Sequence, residues 1–403
     1  MSLQAGCRCF AWALWLILLC ASPLSSAAGP SATANVLQPF VDRHELAGAV
    51  MLVASKDKVL DLETVGYADI AARKSMRTDA LFWIASMSKP IAATALMMLV
   101  DEGKVRLDDS VEKYLPQFAP SIIAVTSDGA EAHLQAPQHA ITIRNLLSHT
   151  SGLPFSSAIE TPTLDMYPLA TRVQSYALEP LMFEPGSDYS YSNAGVNTAA
   201  RIVEVVSGQS YEEFLRTRLF APLGMIDTTF WPNEAQVERL AKSYKANALG
   251  TDLEETSITQ LHYPLTDRTH RYPMPAGGLF STASDLARFC QMLLNGGTYA
   301  GRRLLSGAAI REMSRNQLSE AVLQKRFSSR SSPTDATAYG LGWSTFPSGA
   351  FGHGGAYATN LRIDPEHGLA TVWLIQHASF PSEGAKSHAA FEKAALEIYS
   401  PRQ

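Results

Sequence analysis

The sequence is short of cysteine and carries no excess of positive charge. Of its 403 residues four are cysteines, and Cys7, Cys9 and Cys20 fall in the N-terminal segment, so Cys290 is alone in the rest of the chain. One cysteine cannot form an internal disulfide, and its apolar helical surroundings predict a buried thiol. A formal net charge of −5 means that the chain has no excess of positive charge to attract a polyanion, which argues against a nucleic-acid partner.

Several well-known catalytic motifs are also missing. The chain has no G-x-S-x-G, no phosphate-binding P-loop and no dinucleotide-binding glycine fingerprint. His44-Glu45 begins like a zinc-binding helix, but the second histidine is absent. We therefore expect an activity that needs neither a metal nor an organic cofactor.

The first 28 residues have the pattern of a secretory signal peptide. Arg8 is their only charge, the apolar run Phe10 to Cys20 follows, and small residues lead to Ala28. The apolar run is shorter than the ~20 residues that span a bilayer. We expect cleavage near Ala28, a mature chain of residues 29–403 and a secreted or periplasmic location with no integral membrane segment. Lipidation of Cys20 is the alternative, although the bulky Leu19 before it disfavours that modification.

Strand-like segments lie near both ends of the chain, and helices lie between them. An early pair of strands (50–55 and 59–65) and a late hairpin (357–363 and 369–377) flank helical patterns that include 86–102 and 196–206. This order predicts an α/β (α+β) fold with one antiparallel sheet built from both termini. We expect the sheet subdomain at about 35–85 and 275–403, and a helical insertion at about 105–270. The polar segment 319–338 is predicted to be a surface loop.

The pair Ser86 and Lys89 is the first candidate for catalysis. Residues three apart share a helix face, so the lysine amine can reach the serine hydroxyl. A serine is a weak nucleophile until a base takes its proton, and a desolvated lysine can be that base. Ser55…Lys58 and Ser110…Lys113 have the same spacing, but their settings indicate a strand connection and a polar surface. Only Ser86…Lys89 lies in an apolar segment.

Two further groups could complete such a site. Tyr191 and Asn193 follow a Glu-Pro-Gly turn, and a phenol with an amide can shuttle protons and orient a carbonyl. A small-residue segment, His353-Gly354-Gly355-Ala356, lies on a predicted strand late in the chain. Glycines there would let a substrate lie close against the strand. Structural packing is the alternative for both Tyr191 and His353.

In this order and at these separations, the three motifs resemble the serine β-lactamase and DD-peptidase superfamily. The nearest branch is that of class C β-lactamases and family VIII carboxylesterases. Three further stretches resemble the same branch: Leu146 to Leu153, Pro275 to Leu279 and Tyr339 to Trp343. Together the resemblance covers roughly residues 40 to 400.

The resemblance implies a role for each candidate residue. Ser86 would be the acylated nucleophile, Lys89 its proton partner, Tyr191 the general base and acid, and Asn193 a contact of the substrate and the lysine. The N–H groups of Ser86 and Ala356 would form the oxyanion hole. His353, Gly354, Gly355 and Ala356 would bind the substrate along the strand. His149 has no catalytic counterpart and is expected to be structural.

One position departs from the β-lactamase pattern. Where β-lactamases have Lys-Thr-Gly, this chain has His353-Gly354-Gly355, which removes a cation and a hydroxyl that hold the substrate carboxylate. A histidine is mostly neutral above pH ~6.5. We expect an exported serine hydrolase cleaving a small ester, a β-lactam or a D-amino-acid peptide. The alternatives are a D-alanyl-D-alanine carboxypeptidase, a D-aminopeptidase, an acyltransferase, or a sensor that is acylated without turnover. Oligomeric state is not indicated.

Overall fold

The computed structural model describes residues 32–119, 121–125, 133–328 and 338–401. The predicted signal peptide, with Arg8 and Cys20, lies outside the described residues. Among those that are described, no helix is both long and apolar enough to cross a membrane.

The strands pair into one large sheet and several two-stranded pairs. The large sheet is antiparallel throughout and has eight strands in the order β12-β13-β14-β15-β16-β1-β2-β3. Next to the centre of the sheet, β16 pairs with β1, and Leu374 lies opposite Val50. The strands are β1 Gly48–Ser55, β2 Val59–Asp69, β3 Lys74–Ser75, β4 Phe82–Trp83, β5 Ile123–Val125, β6 His133–Gln135, β7 Ser243–Ala246, β8 Leu253–Thr256, β9 Phe280–Ser281, β10 Thr298–Tyr299, β11 Arg302–Arg303, β12 Ala338–Tyr339, β13 Ser344–Thr345, β14 Phe351–Gly354, β15 Asn360–Asp364 and β16 Leu369–Leu374.

Helices cover both faces of the large sheet and fill the middle of the chain. The α-helices are α1 Ala32–Asn35, α2 Gln38–Asp42, α3 Ser88–Asp101, α4 Ile143–Ser148, α5 Leu169–Tyr176, α6 Asn193–Ser207, α7 Tyr211–Leu215, α8 Ala221–Leu223, α9 Glu234–Val237, α10 Ala283–Leu294, α11 Gly307–Ser314, α12 Glu320–Ser328 and α13 Ser387–Tyr399. Short 3-10 turns occupy Ala85–Met87, Val111–Lys113, Pro116–Phe118, Ala158–Glu160 and Gly384–Lys386, and Arg216–Phe220 is a π-helix.

Strand β1 explains the layering. Successive strand residues point to opposite faces, and both faces of β1 are buried, so its sequence is an almost continuous apolar run. Val50 and Leu52 pack into the core that contains α3 and α10, whereas Met51 and Val53 pack with Phe391 of α13. Two helical layers therefore enclose the sheet.

Helix α3 lies in the core beside the sheet. Every residue from Ser88 to Leu99 is buried, which is the pattern of a helix that is apolar on all sides. Its neighbour α6 ends at Gly208, whose φ of 71° is the left-handed conformation that glycine adopts without strain. Because α3 packs against α6, the sheet part of the molecule is in contact with the helical insertion.

The structure confirms the predicted fold class and corrects two local predictions. The sheet strands come from 48–75 and 338–374, and the late hairpin forms as β15 and β16. The predicted loop 319–338 is wrong in its first half, because α12 occupies Glu320–Ser328 and buries Val322; residues 329–337 lie outside the described ones. The helix predicted from Ser86 begins as a 3-10 turn and becomes α-helical at Ser88. The exact domain boundaries stay predictions.

Candidate active site

Ser86 lies on the tight turn that joins β4 to α3. The residue before it, Ala85, has a φ of 45°, a left-handed conformation that is uncommon for a non-glycine residue. Ile84 is fixed by a 3.0 Å hydrogen bond from its N–H to the carbonyl of Leu279. Ser86 itself is only half-buried, so part of the residue is accessible to solvent.

Lys89 is fully buried one turn further along. Its Nζ lies 3.1 Å from Ser86 Oγ, 2.8 Å from Asn193 Oδ1 and 2.8 Å from the carbonyl oxygen of Ala276. No Asp or Glu among the described residues pairs with this amine. Burial lowers the pKa of Lys89 well below its ordinary value, because an ammonium without a counter-charge is poorly solvated there.

The contacts of Lys89 determine which of its atoms faces the serine. A carbonyl oxygen and an amide oxygen can only accept, so Ala276 and Asn193 receive the two N–H bonds of a neutral amine. The remaining lone pair then faces Ser86 Oγ. Such an amine can take the serine proton.

Tyr191 lies on the other side of the serine. Its hydroxyl is hydrogen-bonded to Ser86, and the Lys89 Nζ lies 4.5 Å from the centre of its ring. Burial is the main cause that raises the pKa of the Tyr191 phenol. Beneath the ring, His149 accepts a 3.2 Å hydrogen bond from the Ser192 N–H and packs with its ring centre 4.5 Å from that of Tyr191. His149 therefore supports Tyr191, as expected for a structural residue.

The end of β14 passes close to the serine turn. A Cβ on Gly355 would lie 2.5 Å from the carbonyl oxygen of Ile84 and 2.1 Å from Thr359 Oγ1, so only glycine fits here. The next residue, Ala356, is exposed. Within the described part of the chain, no hydrogen-bond acceptor is recorded for the N–H of Ser86 or of Ala356. Two such donors suit a developing oxyanion.

His353 does not present a charge to this site. Its Nδ1 lies 2.7 Å from the Gly354 carbonyl oxygen, which can only accept, so Nδ1 carries the proton and Nε2 accepts from the Tyr339 hydroxyl at 2.9 Å. Burial is the main cause that lowers the pKa of His353 to about 3. The ring is therefore neutral and held by two partners at physiological pH.

The structure thus brings Ser86, Lys89, Tyr191 and Asn193 into one cluster, with Gly354, Gly355 and Ala356 along its edge. Sequence reasoning missed the roles of Ala276 as an acceptor for Lys89 and of Tyr339 as the partner of His353. Both residues lie in stretches that resemble the superfamily, but neither has a motif that marks its contact. No group of three or more metal-ligating side chains occurs among the described residues.

Comparisons with known proteins agree with this geometry. The family model "Beta-lactamase" matches residues 33–395. Penicillin-binding protein 4 of Amycolatopsis lactamdurans is 32% identical over 338 residues, covering 82% of this chain and 81% of that protein. Esterase EstB of Burkholderia gladioli is 34% identical over 224 residues, which cover 52% of this chain and 53% of EstB. The solved structure of EstCE1, "a hydrolase with promiscuous acyltransferase activity", superimposes with a TM-score of 0.73 at 24% identity, covering 90% of this chain and 97% of EstCE1.

The chain belongs to the beta-lactamase family of serine hydrolases. Its relatives include penicillin-binding proteins and esterases, and the antiparallel sheet with its helical insertion is the fold of that family.

Proposed function

We propose that this protein is a carboxylesterase that cleaves its substrate through an acyl-enzyme at Ser86. The observation that carries the proposal is the buried amine of Lys89, whose two N–H groups are taken by Asn193 and Ala276 while Ser86 Oγ lies 3.1 Å away. A neutral base in contact with a serine hydroxyl is what nucleophilic activation requires.

The first half-reaction follows from these contacts. Ser86 Oγ bonds to the ester carbonyl carbon while its proton moves to Lys89 Nζ. The carbonyl oxygen becomes an oxyanion, which the N–H groups of Ser86 and Ala356 stabilise. Each such donor contributes about 10²–10³-fold in rate.

Tyr191 is suited to the leaving group. Its phenol keeps its proton because burial raises its pKa, its hydroxyl is hydrogen-bonded to Ser86, and Lys89 Nζ lies 4.5 Å from the centre of its ring. It can give its proton to the departing alcohol and regain one from Lys89, a transfer that contributes about 10²–10⁴-fold. Water then attacks the acyl-enzyme, the same groups take its proton, and the acid is released as Ser86 regains its hydrogen.

Two features support an ester over a β-lactam. The neutral, doubly bonded His353 supplies no cation for a substrate carboxylate. The side of the rim beside Tyr191 is apolar: Phe155 stacks on that ring with 6.4 Å between ring centres and is 48% exposed. An uncharged substrate with an apolar substituent fits this rim better than an anionic one.

The experiment compares turnover of p-nitrophenyl butyrate with that of a chromogenic cephalosporin, using the purified Ser86→Ala variant as blank. Ester turnover at least 100-fold above cephalosporin turnover is expected. Equal or reversed preference would contradict the proposal. Adding an alcohol acceptor and measuring the new ester separates hydrolysis from acyl transfer.

Hydrolysis of a β-lactam or a D-amino-acid peptide is the second candidate, and one observation favours it. The Arg326 guanidinium lies 4.0 Å above the ring of Tyr189, whose neighbour Tyr339 borders His353. An arginine at the rim could hold a substrate carboxylate in place of the missing lysine. Arg326→Gln should leave ester turnover unchanged, and a loss confined to carboxylate-bearing substrates would support this candidate. Acylation of Ser86 by a cephalosporin without release would instead indicate a sensor.

We also propose that residues 1–28 direct export and are removed. The charge and apolar pattern of the segment support this. Mass spectrometry of the protein recovered from the expressing cells tests it: a mature chain starting at residue 29 is expected outside the cytoplasm. A chain that keeps Met1, or one that begins with a lipid-modified Cys20, would contradict it.

A further inference from the structure

A second asparagine follows Asn193 at one helical turn on α6. Asn197 is fully buried, and its Oδ1 accepts a 3.1 Å hydrogen bond from the N–H of Ala276. The carbonyl of that same residue accepts from Lys89. Helix α6 thus affects both acceptors of Lys89. Asn193 is one acceptor itself, and Asn197 holds Ala276, whose carbonyl is the other.

The orientation of Asn197 is fixed from behind. Its Nδ2 donates to the hydroxyl of Tyr176 at 2.9 Å, and that hydroxyl donates to Glu160 Oε1 at 2.7 Å. Glu160 is buried beside Arg172, with 3.6 Å between Oε1 and the guanidinium, and its other oxygen accepts from the Ser157 N–H at 3.0 Å. A carboxylate can only accept, so the Tyr176 proton points to it. The tyrosine oxygen is then left to receive the amide N–H of Asn197.

The donors of this series all point the same way. The Ser86 hydroxyl faces Lys89, and Lys89 donates to Ala276. The Ala276 N–H then donates to Asn197, Asn197 to Tyr176, and Tyr176 to Glu160. The carbonyl and the N–H of Ala276 belong to adjacent peptide groups joined at its Cα, so the hydrogen bonds that run from Ala276 to Glu160 act on Lys89 by fixing the orientation of Ala276.

We propose that Asn197 and Tyr176 are positioning residues that hold Lys89 as the base for Ser86 by fixing the orientation of Ala276, with Glu160 as the buried anchor of Tyr176. This inference rests on the proposed function. Neither residue touches the reacting atoms. They hold the N–H of Ala276, and through the Cα of that residue they set the direction of its carbonyl and, with it, of the lysine lone pair.

The chain offers a matched control for this idea. Tyr211, like Tyr176, is fully buried in the helical insertion, but its hydroxyl has no hydrogen-bond partner within the described residues. Changing either tyrosine to phenylalanine removes one buried hydroxyl at nearly constant volume. Tyr211→Phe shows the effect of losing a buried hydroxyl that makes no hydrogen bond, whereas Tyr176→Phe also breaks the bonds to Asn197 and Glu160. A loss of labelling confined to folded Tyr176→Phe is therefore assigned to those bonds.

The test measures the rate at which a fluorophosphonate probe labels Ser86, together with kcat and KM for p-nitrophenyl butyrate. Tyr176→Phe should lower the labelling rate and kcat about 10- to 100-fold, with KM within about threefold of wild type. Tyr211→Phe should leave all three values within about twofold of wild type. Asn197→Leu breaks the series at a second point, and the double variant should lose little more than the worse single variant, because both act on one unit.

Each outcome has a definite meaning. Labelling of Tyr176→Phe as fast as wild type, or an equal loss in Tyr211→Phe, would overturn the inference alone. A wild-type protein that is not labelled at Ser86 would overturn the proposed function and this inference with it. Thermal unfolding of each variant shows that the folded protein is being compared.

Discussion

At the scale of single residues, a buried lysine defines the chemistry of this protein. Lys89 has no carboxylate partner among the described residues, and its surroundings favour the neutral amine. The usual roles of a lysine, an ion pair or a surface charge, are absent. The remaining role is that of a base, because Lys89 Nζ lies 3.1 Å from Ser86 Oγ.

Activity should therefore depend on pH through Lys89. Its pKa in the folded protein is lowered, so the neutral form exists above that value and is lost as the pH falls through it. We expect kcat/KM to be full above the lowered pKa of Lys89 and to decline as the pH falls through it. A profile of kcat/KM against pH measures this.

Variants of Lys89 and His353 distinguish the titration of Lys89 from that of His353. Lys89→Arg should lose at least about 10³-fold in kcat/KM at every accessible pH, because a guanidinium does not give up its proton. His353→Gln should keep the acidic limb where it is, since the pKa of His353 is about 3. An acidic limb that disappears in His353→Gln would show that the wrong group has been assigned.

Ser86 and Tyr191 give a second prediction at this scale. Ser86→Ala should abolish fluorophosphonate labelling and ester turnover, because no other hydroxyl among the described residues lies within hydrogen-bond distance of Lys89. Tyr191→Phe should keep the fold, since the ring still packs on His149. Its turnover should fall about 10²–10⁴-fold through loss of the proton donor. Unchanged turnover in either variant, measured with p-nitrophenyl butyrate, would contradict the assignment.

At the scale of elements, the contact between the end of β14 and the serine turn controls the oxyanion site. The backbone of Gly355 approaches Ile84 so closely that a methyl group has no room. Its N–H donates to the Thr359 carbonyl at 2.7 Å, which fixes the turn after the strand. The position of the Ala356 N–H depends on this turn.

Gly355→Ala should therefore displace the strand end and lower kcat by about 10²–10³-fold, the value of one oxyanion donor. The neighbouring Gly354→Ala is the steric control, because its Cβ would meet nothing closer than 3.5 Å. Thermal unfolding should show a lower midpoint for Gly355→Ala than for Gly354→Ala. Equal midpoints, with kcat of Gly355→Ala unchanged, would contradict the argument.

At the scale of the whole molecule, a buried ion pair ties the loops of the insertion together. Asp165 Oδ2 accepts from Arg271 Nε at 2.7 Å, and both side chains are at most 2% exposed. Asp165 also accepts from the His262 N–H through its other oxygen at 2.9 Å. Two loops more than ninety residues apart in sequence are joined here, next to the segment that carries Ala276.

Asp165→Asn should lower the free energy of unfolding by about 3–5 kcal/mol, because the Arg271 charge stays buried without its partner. Denaturant unfolding measures the change. Glu213→Gln is the matched control, since it breaks an ion pair with Arg216 whose side chains are 66% and 42% exposed. That variant should unfold like wild type, because water solvates the freed arginine. A comparable loss in both would show that burial is not what matters.

Local patterns in the sequence determined a large part of this protein. Alternating and continuous apolar runs predicted β1, β2 and the late hairpin, and helical spacing with a terminal glycine predicted α6. These features depend on neighbours within one turn or one strand pair, so the sequence alone carries them. The polar composition of 319–338 misled, because α12 is helical through packing of Val322 in a cluster with Leu318 and Tyr339.

For the site, sequence and tertiary structure contributed different information. Side-chain types, spacing and the resemblance to the superfamily made Ser86, Lys89, Tyr191 and Asn193 the candidates, and the structure brings the four side chains together. Their catalytic roles stay predictions. Only the tertiary structure decided the state of each group, since the contacts of Lys89 with Asn193 and Ala276 span 104 and 187 residues. The neutral His353, the acceptor role of Ala276 and the series from Ser86 to Glu160 all depend on such distant contacts. Burial and hydrogen-bond partners set protonation, and they exist only once the chain has folded.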